Sequence, residues 1–394
     1  MGRQRALPIW LMGFCNLPIG LGGAIGLVTV PQLLAAADVP ESTIAWITSA
    51  ALVPLFASFI LAPVLDWRFS RRFYSILTAS LAALLLFVGL LNLADPVVLG
   101  AALVLAVFAV ALNQAAVGGW VSSLTGPEDK SKLGAWLIVS NVAGFGAGAA
   151  VAIVLIRVLP AVIGPAAVAG LLLLPLPLYL AMPTPPPDAH LAGEGFVAFL
   201  ADVLSLFRQK DIRWLLFFFA MPAAAFALSN TMSGLGKDFG ASEQFVGTVA
   251  GVGVAIAGVL GSLVVPPLIR GLLTPEWLYL AIGAGGAVCT LAQLVLPLTP
   301  LSFAIAMIGQ NGIQAAALSA GNVVILRATG EHNPLAATQF ALLCAAIGLP
   351  LSYMQALDGQ AYDRGGLVAC YLTDALVSLA ACAVLALLLA RRRT

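Results

Sequence analysis

The sequence predicts an all-α integral membrane protein of twelve transmembrane helices in two pseudo-symmetric bundles of six. Three observations predict it. Of 394 residues, 61% are hydrophobic and only 9% charged, with a mean hydropathy of +1.04. Soluble domains carry about 25% charged residues, so a soluble globular class is excluded. The apolar residues gather into segments that can each hold a helix of about 20 residues, the length that crosses a bilayer. Helices satisfy their own backbone in lipid without closing a barrel. Finally, one long hydrophilic connection divides the chain into two halves. The net charge of +1 says little about partners, because in such a chain the distribution of charge carries the information.

The first span, Leu7 to Ala35, contains Asn16 and Pro18 and follows Arg3 and Arg5. It lacks the compact apolar segment and small-residue cleavage site of a signal peptide, so it is expected to stay as an uncleaved span. Thr43 to Leu65 and Phe73 to Leu93 carry no charge, and between them Asp66, Arg68, Arg71 and Arg72 crowd into one short basic turn. Val97 to Trp120, Leu133 to Ile156 and Ala161 to Ala181 complete the first half. Trp214 to Gly234, Gln244 to Val265, Trp277 to Leu296, Leu301 to Leu326, Ala336 to Leu357 and Leu367 to Ala390 make the second. With the amino terminus inside, all of the 18 Lys and Arg except Arg157, Lys237 and Arg364 fall on the inner side, so both termini are expected in the cytoplasm.

The connection opens with Pro183-Thr184-Pro185-Pro186-Pro187, a stiff extended segment. Beyond it, Phe196, Phe199, Leu200, Val203, Leu204 and Phe207 fall at helical spacing on one face, with Asp202, Arg208 and Lys210 off it. That pattern predicts an amphipathic helix lying at the inner interface. The expected organisation is therefore a bundle over 1–181, a linker over 182–212 and a second bundle over 213–394. Cys15, Cys289, Cys344, Cys370 and Cys382 fall in apolar runs without metal-ligand spacing and are expected to be free, buried thiols.

Polar side chains inside spans are costly and mark either helix-helix bonds or a wet cavity. Asn113-Gln114 stands 17 residues before Lys130 in the fourth span, and Gln310-Asn311 with Gln314 stands 17 residues before Arg327 in the tenth. This weak echo relates the two halves, and both readings of the amides stand. Further candidates for a cavity lining are Asn16, Trp46, Trp136, Asn141, Asn230, Gln339 and Tyr353, with Gln32, Asn322 and Gln355. Pro18 frees backbone carbonyls beside Asn16 for a ligand or a bend. Trp46 and Trp136 either stack on a solute or anchor span ends at the interface. A lining of amides, hydroxyls and aromatics suits a neutral or zwitterionic organic solute, and no Lys or Arg near mid-membrane answers a multiply anionic one. Small residues four apart, Gly22 with Gly26, Gly144 with Gly148 and Gly247 with Gly251, predict strips of close helix contact.

Coupling to protons needs an ionisable group in the membrane, where burial disfavours the charged form of a carboxyl. Asp374 is the one carboxylate well inside a predicted span. It is read as a coupling acid or as an outer-leaflet residue pairing with Arg364. His190 and His332 lie in loops, and no nucleophile-base set or metal spacing can meet in mid-membrane. An enzyme, a metal site and a cofactor are therefore not expected, nor is a nucleic-acid partner. A channel would need a symmetric ring of charge or carbonyls. An uncoupled facilitator or exporter, and a non-transporting receptor or assembly factor, remain as alternatives.

The stretch Ala62-Pro63-Val64-Leu65-Asp66-Trp67-Arg68-Phe69-Ser70-Arg71-Arg72 resembles the signature loop between helices two and three of the major facilitator superfamily, Gly-x-Leu-x-Asp-Arg-x-Gly-Arg-Arg. Ala62 stands for the first Gly, and Trp67 is inserted before Arg68. The resemblance assigns Asp66, Arg68, Arg71 and Arg72 to an inner gate, a charge network that holds one conformation and breaks in the other. Six plus six spans with a cytoplasmic linker is also that superfamily's architecture. Within it, Asn113 to Trp120 with Leu124, Pro127, Glu128, Asp129 and Lys130 is similar to the span-four signature of AmpG-type muropeptide permeases and their relatives, the acetyl-coenzyme A transporters and siderophore importers. Asn16 to Gly20 and Ala337 to Leu343 add to the likeness. Two aspartates of that group stand here as Gln114 and Gly118, and its charged positions early in span seven as Pro222-Ala223-Ala224-Ala225. Gly144 to Gly148 lacks the Pro of drug/proton antiporters. The resemblance implies a monomeric permease of the bacterial cytoplasmic (inner) membrane. It would carry a muropeptide-like or siderophore-like small molecule across the lipid bilayer, as a symporter where protons couple.

Overall fold

The structure, a computed structural model, describes residues 7–184, 196–271, 273–331 and 333–392. Pro185 to Pro187, His190 and His332 lie outside these, as does the side chain of Asn230. The described residues form helices and no strands: α1 Ile9–Ala36, α2 Glu41–Ile60, α3 Arg71–Leu91, α4 Pro96–Leu124, α5 Lys130–Val158, α6 Ile163–Leu171, α7 Leu176–Ala181, α8 Phe196–Leu206, α9 Lys210–Ala220, α10 Glu243–Ile269, α11 Pro275–Gln293, α12 Pro300–Thr329 and α13 Ala336–Arg391. Among them α1 to α5, α10, α12 and α13 are long and apolar enough to cross a membrane. Their surfaces stay apolar, with Leu84, Val154, Leu260, Leu301 and Leu387 exposed. A helix that is apolar all round needs lipid or protein on every side.

Prolines set the departures from uniform spans. Pro175 and Pro177 divide the sixth apolar segment into α6 and α7. Pro222 ends α9, and the chain continues through the 3-10 turn Pro222–Ala224 and the short helical pieces Leu228–Thr231 and Met232–Phe239. Such breaks follow from the missing N–H and the ring clash with the preceding turn. In α13 the dihedrals leave the helical region at Gly365 and Gly366, where φ reaches 63°. Met354 and Val377 pack in one cluster, whereas a straight helix would hold them about 34 Å apart. The two arms of α13 therefore fold back on each other at the glycine pair.

The chain forms two compact units. One is Met1–Gln209 with Leu326–Ala345, the other Lys210–Ile325 with Ala346–Thr394. The core of the first gathers Ile25, Leu34, Ile47, Leu86, Leu103 and Val107 from α1 to α4. That of the second gathers Leu228, Met232, Phe239, Phe303, Met307 and Tyr371. In lipid such cores are held by close packing more than by expulsion from water. The contact of α1 with α5 shows it: a Cβ on Gly20 would stand 2.1 Å from the carbonyl oxygen of Asn141, and one on Gly13 2.4 Å from Cβ of Trp136. Gly144 and Gly148 join this seam, at 3.0 Å from Leu17 and 2.7 Å from Leu21. At Gly247 and Gly251 the expected strip finds no neighbour among the described residues, since a Cβ on either would meet nothing within 4 Å.

Helix α8 divides the apolar face read from its sequence. Phe199, Val203 and Leu206 are buried in a cluster with Leu335 and Trp67, while Leu200, Leu204 and Phe207 are exposed. The two sets are neighbouring i, i+4, i+7 stripes, so the protein takes one and leaves the other. All five cysteines are free; Cys15, Cys370 and Cys382 are buried, but Cys289 is exposed and Cys344 half-buried.

Candidate functional site

In the first unit the 3-10 turn Ala62–Asp66 turns the Asp66 side chain fully inward. Its carboxylate is saturated. Oδ1 accepts from the Arg71 guanidinium at 3.0 Å and from the backbone N–H of Ala337 at 3.2 Å. Oδ2 accepts from the N–H and the hydroxyl of Thr338, each at 2.8 Å. Ala337 and Thr338 are in the first turn of α13, whose N–H groups have no partner within their own helix. Asp66 thus caps that helix from a distant part of the chain, and its charge complements the helix dipole. Arg71 also donates to the carbonyls of Asn333 and Pro334, both at 3.0 Å.

The end of α12 is held by the opposite polarity. Lys130, almost wholly buried, donates to the carbonyl of Leu326 at 2.7 Å, and the Ser122 hydroxyl reaches Leu326 and Gly330 at 3.1 and 3.3 Å. A cation at a helix C-terminus is the favourable placement. Close approach of α4 makes this geometry possible. A Cβ on Gly119 would lie 2.6 Å from the Ala337 nitrogen, and one on Gly118 2.3 Å from the Phe340 ring. An aspartate at 118 would require that ring to move. Replacing Lys130 with Met is expected to lower stability by about 1–2 kcal/mol, read as a drop in Tm in detergent. Lys130→Arg should recover most of it.

The other two arginines brace the surrounding chain. Arg72 donates to the carbonyls of Leu180, at 3.1 Å, and Met182, and lies 5.9 Å from the centre of the Trp120 ring, whose indole N–H donates to Pro183 at 3.0 Å. Arg68 takes a left-handed φ of 64° and sits 4.9 Å over the Trp67 ring, which stacks on Phe199 of α8. Gln339 belongs here as well. It donates to the carbonyl of Ala328 at 3.0 Å and accepts from Asn333 at 2.5 Å.

The amides of the first unit are largely committed to its own helices. Asn16 donates to the carbonyl of Leu137 at 3.1 Å. Asn113 donates to Ser75 at 2.7 Å and accepts from the Tyr179 hydroxyl at 3.1 Å. That hydroxyl also reaches the carbonyl of Cys15 at 3.0 Å, and Ser140 reaches that of Phe14 at 3.4 Å. The carbonyls loosened by Pro18 are thus answered from within. Gln114, Trp136 and Asn141 are half-buried, and Trp46 is exposed beside Gly100.

In the second unit the polar groups meet at the break after α9. Tyr353 donates to the freed carbonyl of Ala220 at 2.7 Å, and the Cys382 thiol to that of Ala223 at 3.2 Å. Phe226 is held at φ 49°, a rare conformation for a bulky residue. Gly283 and Gly286 of α11 make room: Cβ atoms there would lie 2.0 Å from the Ala223 oxygen and 2.4 Å from the Phe226 ring. Ala223 to Phe226, Thr290, Asp374 and Ser378 line a cavity of about 10 Å³, room for about one water. Gln310 donates to the Thr290 hydroxyl at 2.6 Å at its edge, and Asn311 donates back to Met307 at 2.9 Å in its own helix. Gln314 is half-buried. Asp374 is buried, and its Oδ1 has no hydrogen-bond partner among the described residues.

One residue was passed over in the sequence. Asp358 is 1% exposed, with neither carboxyl oxygen partnered among the described residues. The eleventh span read from hydropathy ends at Leu357, whereas the first arm of α13 runs on to Arg364. The signal available was the stripe Met354, Asp358 and Tyr362 at i, i+4, i+8.

Apolar helices, several of them broken at prolines and glycines, define a multi-pass membrane protein. The chain belongs to the Major Facilitator Superfamily, whose sequence profile matches residues 12–353. Its fold is similar to three solved transporters at identities that speak for the fold alone. The human organic anion transporter TETRAN matches with a TM-score of 0.71 and 14% identity over 98% of this chain and 100% of that one. The E. coli fucose:proton symporter gives 0.73 and 15% over 99% and 100%. A bacterial homologue of the iron transporter ferroportin gives 0.70 and 13% over 96% and 97%. No curated protein matches by sequence.

Proposed function

We propose that this protein is a secondary transporter that moves a neutral or zwitterionic organic solute, muropeptide-like or siderophore-like, across the bacterial inner membrane by alternating access. In this reading α6 with α7, α9 with the broken segment after it, α11, and the two arms of α13 complete twelve spans in two sets of six, with both termini cytoplasmic. The observation that carries it is the saturated Asp66 carboxylate. It joins the basic turn to the first turn of α13 through three donors there, the N–H groups of Ala337 and Thr338 and the Thr338 hydroxyl, with Arg71 as its fourth donor from the turn's own side. Release of Asp66 would free the start of α13, while the end of α12 is held separately by Lys130 and Ser122. Protons are the proposed coupling ion, with Asp374 as the group that binds them.

Uptake into proteoliposomes tests the reading. The panel is anhydro-muropeptides, siderophores, fucose, xylose and small organic acids, with and without a proton gradient. Saturable uptake of one class, accelerated by the gradient, is expected. Asp374→Asn should abolish gradient-driven accumulation while leaving counterflow, and a variant that still concentrates solute would make Asp374 structural. Reporter fusions at Lys237 and Arg364 should both report the outside; a cytoplasmic signal at either site breaks the topology.

A further inference from the structure

Asp358 and Asp374 stand on opposite arms of α13, either side of the Gly365-Gly366 hinge. They are 1% and 4% exposed, and three of their four oxygens lack a hydrogen-bond partner among the described residues. The two carboxyls lie within electrostatic reach of each other, and Cys370 within reach of both. Packing brings them to one seam. One turn before Asp358, Met354 packs on Ala225, Ala227 and the neighbourhood of Val377. One turn after it, Tyr362 packs beside Leu228, Met232, Cys370 and Tyr371. Asp374 faces the same broken segment from the other arm, through the cavity lined by Ala223 to Phe226.

Among the described residues no Lys, Arg or His pairs with their three unpartnered oxygens, and Lys237, beside Asp238, is exposed. The segment Met221–Met232 contains no titratable residue, and α11 contains no Lys, Arg or His. Asp363 and Arg364 are exposed at the hinge. Asp238 is engaged by the Tyr362 hydroxyl at 2.8 Å, and the Tyr371 hydroxyl turns to the Met232 sulfur. Tyr353 and Cys382 are committed to the carbonyls of Ala220 and Ala223; Tyr279, near both, is fully buried. Two ionised carboxyls here would face desolvation and mutual repulsion together. One proton bound by either carboxyl removes that repulsion.

We propose that Asp358 and Asp374 form a buried carboxyl pair that holds one exchangeable proton between the two arms of α13, and that this pair, not Asp374 alone, is the ion-binding site of the second unit. Its coupling role rests on the transporter reading above; proton binding by the pair does not. Release of the proton leaves two carboxylates that repel across the hinge, and rebinding draws the arms together.

The test is an infrared pH titration of the full-length protein in detergent, following the C=O band of protonated carboxyls. Wild type should lose this band in two separated steps, because coupled groups titrate as a pair. Above the pH range where ordinary carboxyls titrate, Asp358→Asn and Asp374→Asn should each lose it in one step, and the double variant should show no such step. Asn keeps the shape of a protonated carboxyl; Asp358→Glu, which keeps the group and should keep the two steps, serves if the Asn variants do not fold. Retention of the wild-type signal in the double variant would overturn the pair. Displacement of the band by sodium at constant pH would overturn the proton assignment in favour of a cation site. In proteoliposomes Asp358→Asn should lose gradient-driven accumulation and keep counterflow, and unimpaired accumulation would sink the coupling role. Absence of flux in wild type would instead count against the transporter reading, with the infrared result deciding the pair by itself.

Discussion

Asp66→Ala is expected to cost about 3–5 kcal/mol, the range found when one member of a buried charged network is removed. The loss is not one ion pair. Arg71 keeps only its two carbonyl acceptors, and the amides of Ala337 and Thr338 lose theirs in a buried setting. Hydrogen exchange gives a local readout: those two amides should become the fastest in the first turn of α13, with a lowered Tm in detergent. Asp66→Asn should fall between, keeping an acceptor oxygen but presenting an amide to groups that are themselves donors. Unchanged protection at Ala337 and Thr338 in the Ala variant would show that the helix start is held by something other than Asp66.

Gly283→Val is expected to prevent the second unit from folding in its present form. Any Cβ at 283 meets the Ala223 carbonyl at 2.0 Å and its carbon at 2.9 Å. These are backbone atoms of a segment already tied by Tyr353 and Cys382, so they cannot swing aside as a side-chain tip would. Overpacking usually costs about 1–3 kcal/mol; Ala should fall in that range and Val beyond it. Gly285→Val is the matched control, on the same helix with nothing within 4 Å. Size-exclusion profiles and Tm in detergent should separate the two positions. Equal behaviour would mean that the break after α9 does not need α11 so close.

The basic turn was legible because four charges between two uncharged spans have few places to go. Its acceptor role was not, since the groups that Asp66 binds lie 271 and 272 residues away. Gln339 shows the same limit: an amide near the start of a span reads as a cavity lining, yet it closes a turn with Asn333 and Ala328. Asn16 and Asn113 carry the glue reading, because helices α3, α5 and α7 bring carbonyls and a tyrosine to them. Asp358 is hidden from a hydropathy reading for a local reason: the chain turns polar from Asp358 to Arg364, so the apolar span ends at Leu357, yet the helix continues to the hinge.

From its own letters the chain determined that it is helical, that it lives in lipid, and where its basic turn falls. Those properties depend on hydropathy summed over each segment and on charge beside it, both of which are local. Only the tertiary structure decided which polar groups are already spent and which, like three of the four carboxyl oxygens of Asp358 and Asp374, have no partner among the described residues. In lipid a buried polar group takes whatever donor or acceptor the neighbouring helix presents, and which helix is the neighbour depends on contacts between residues far apart in the chain.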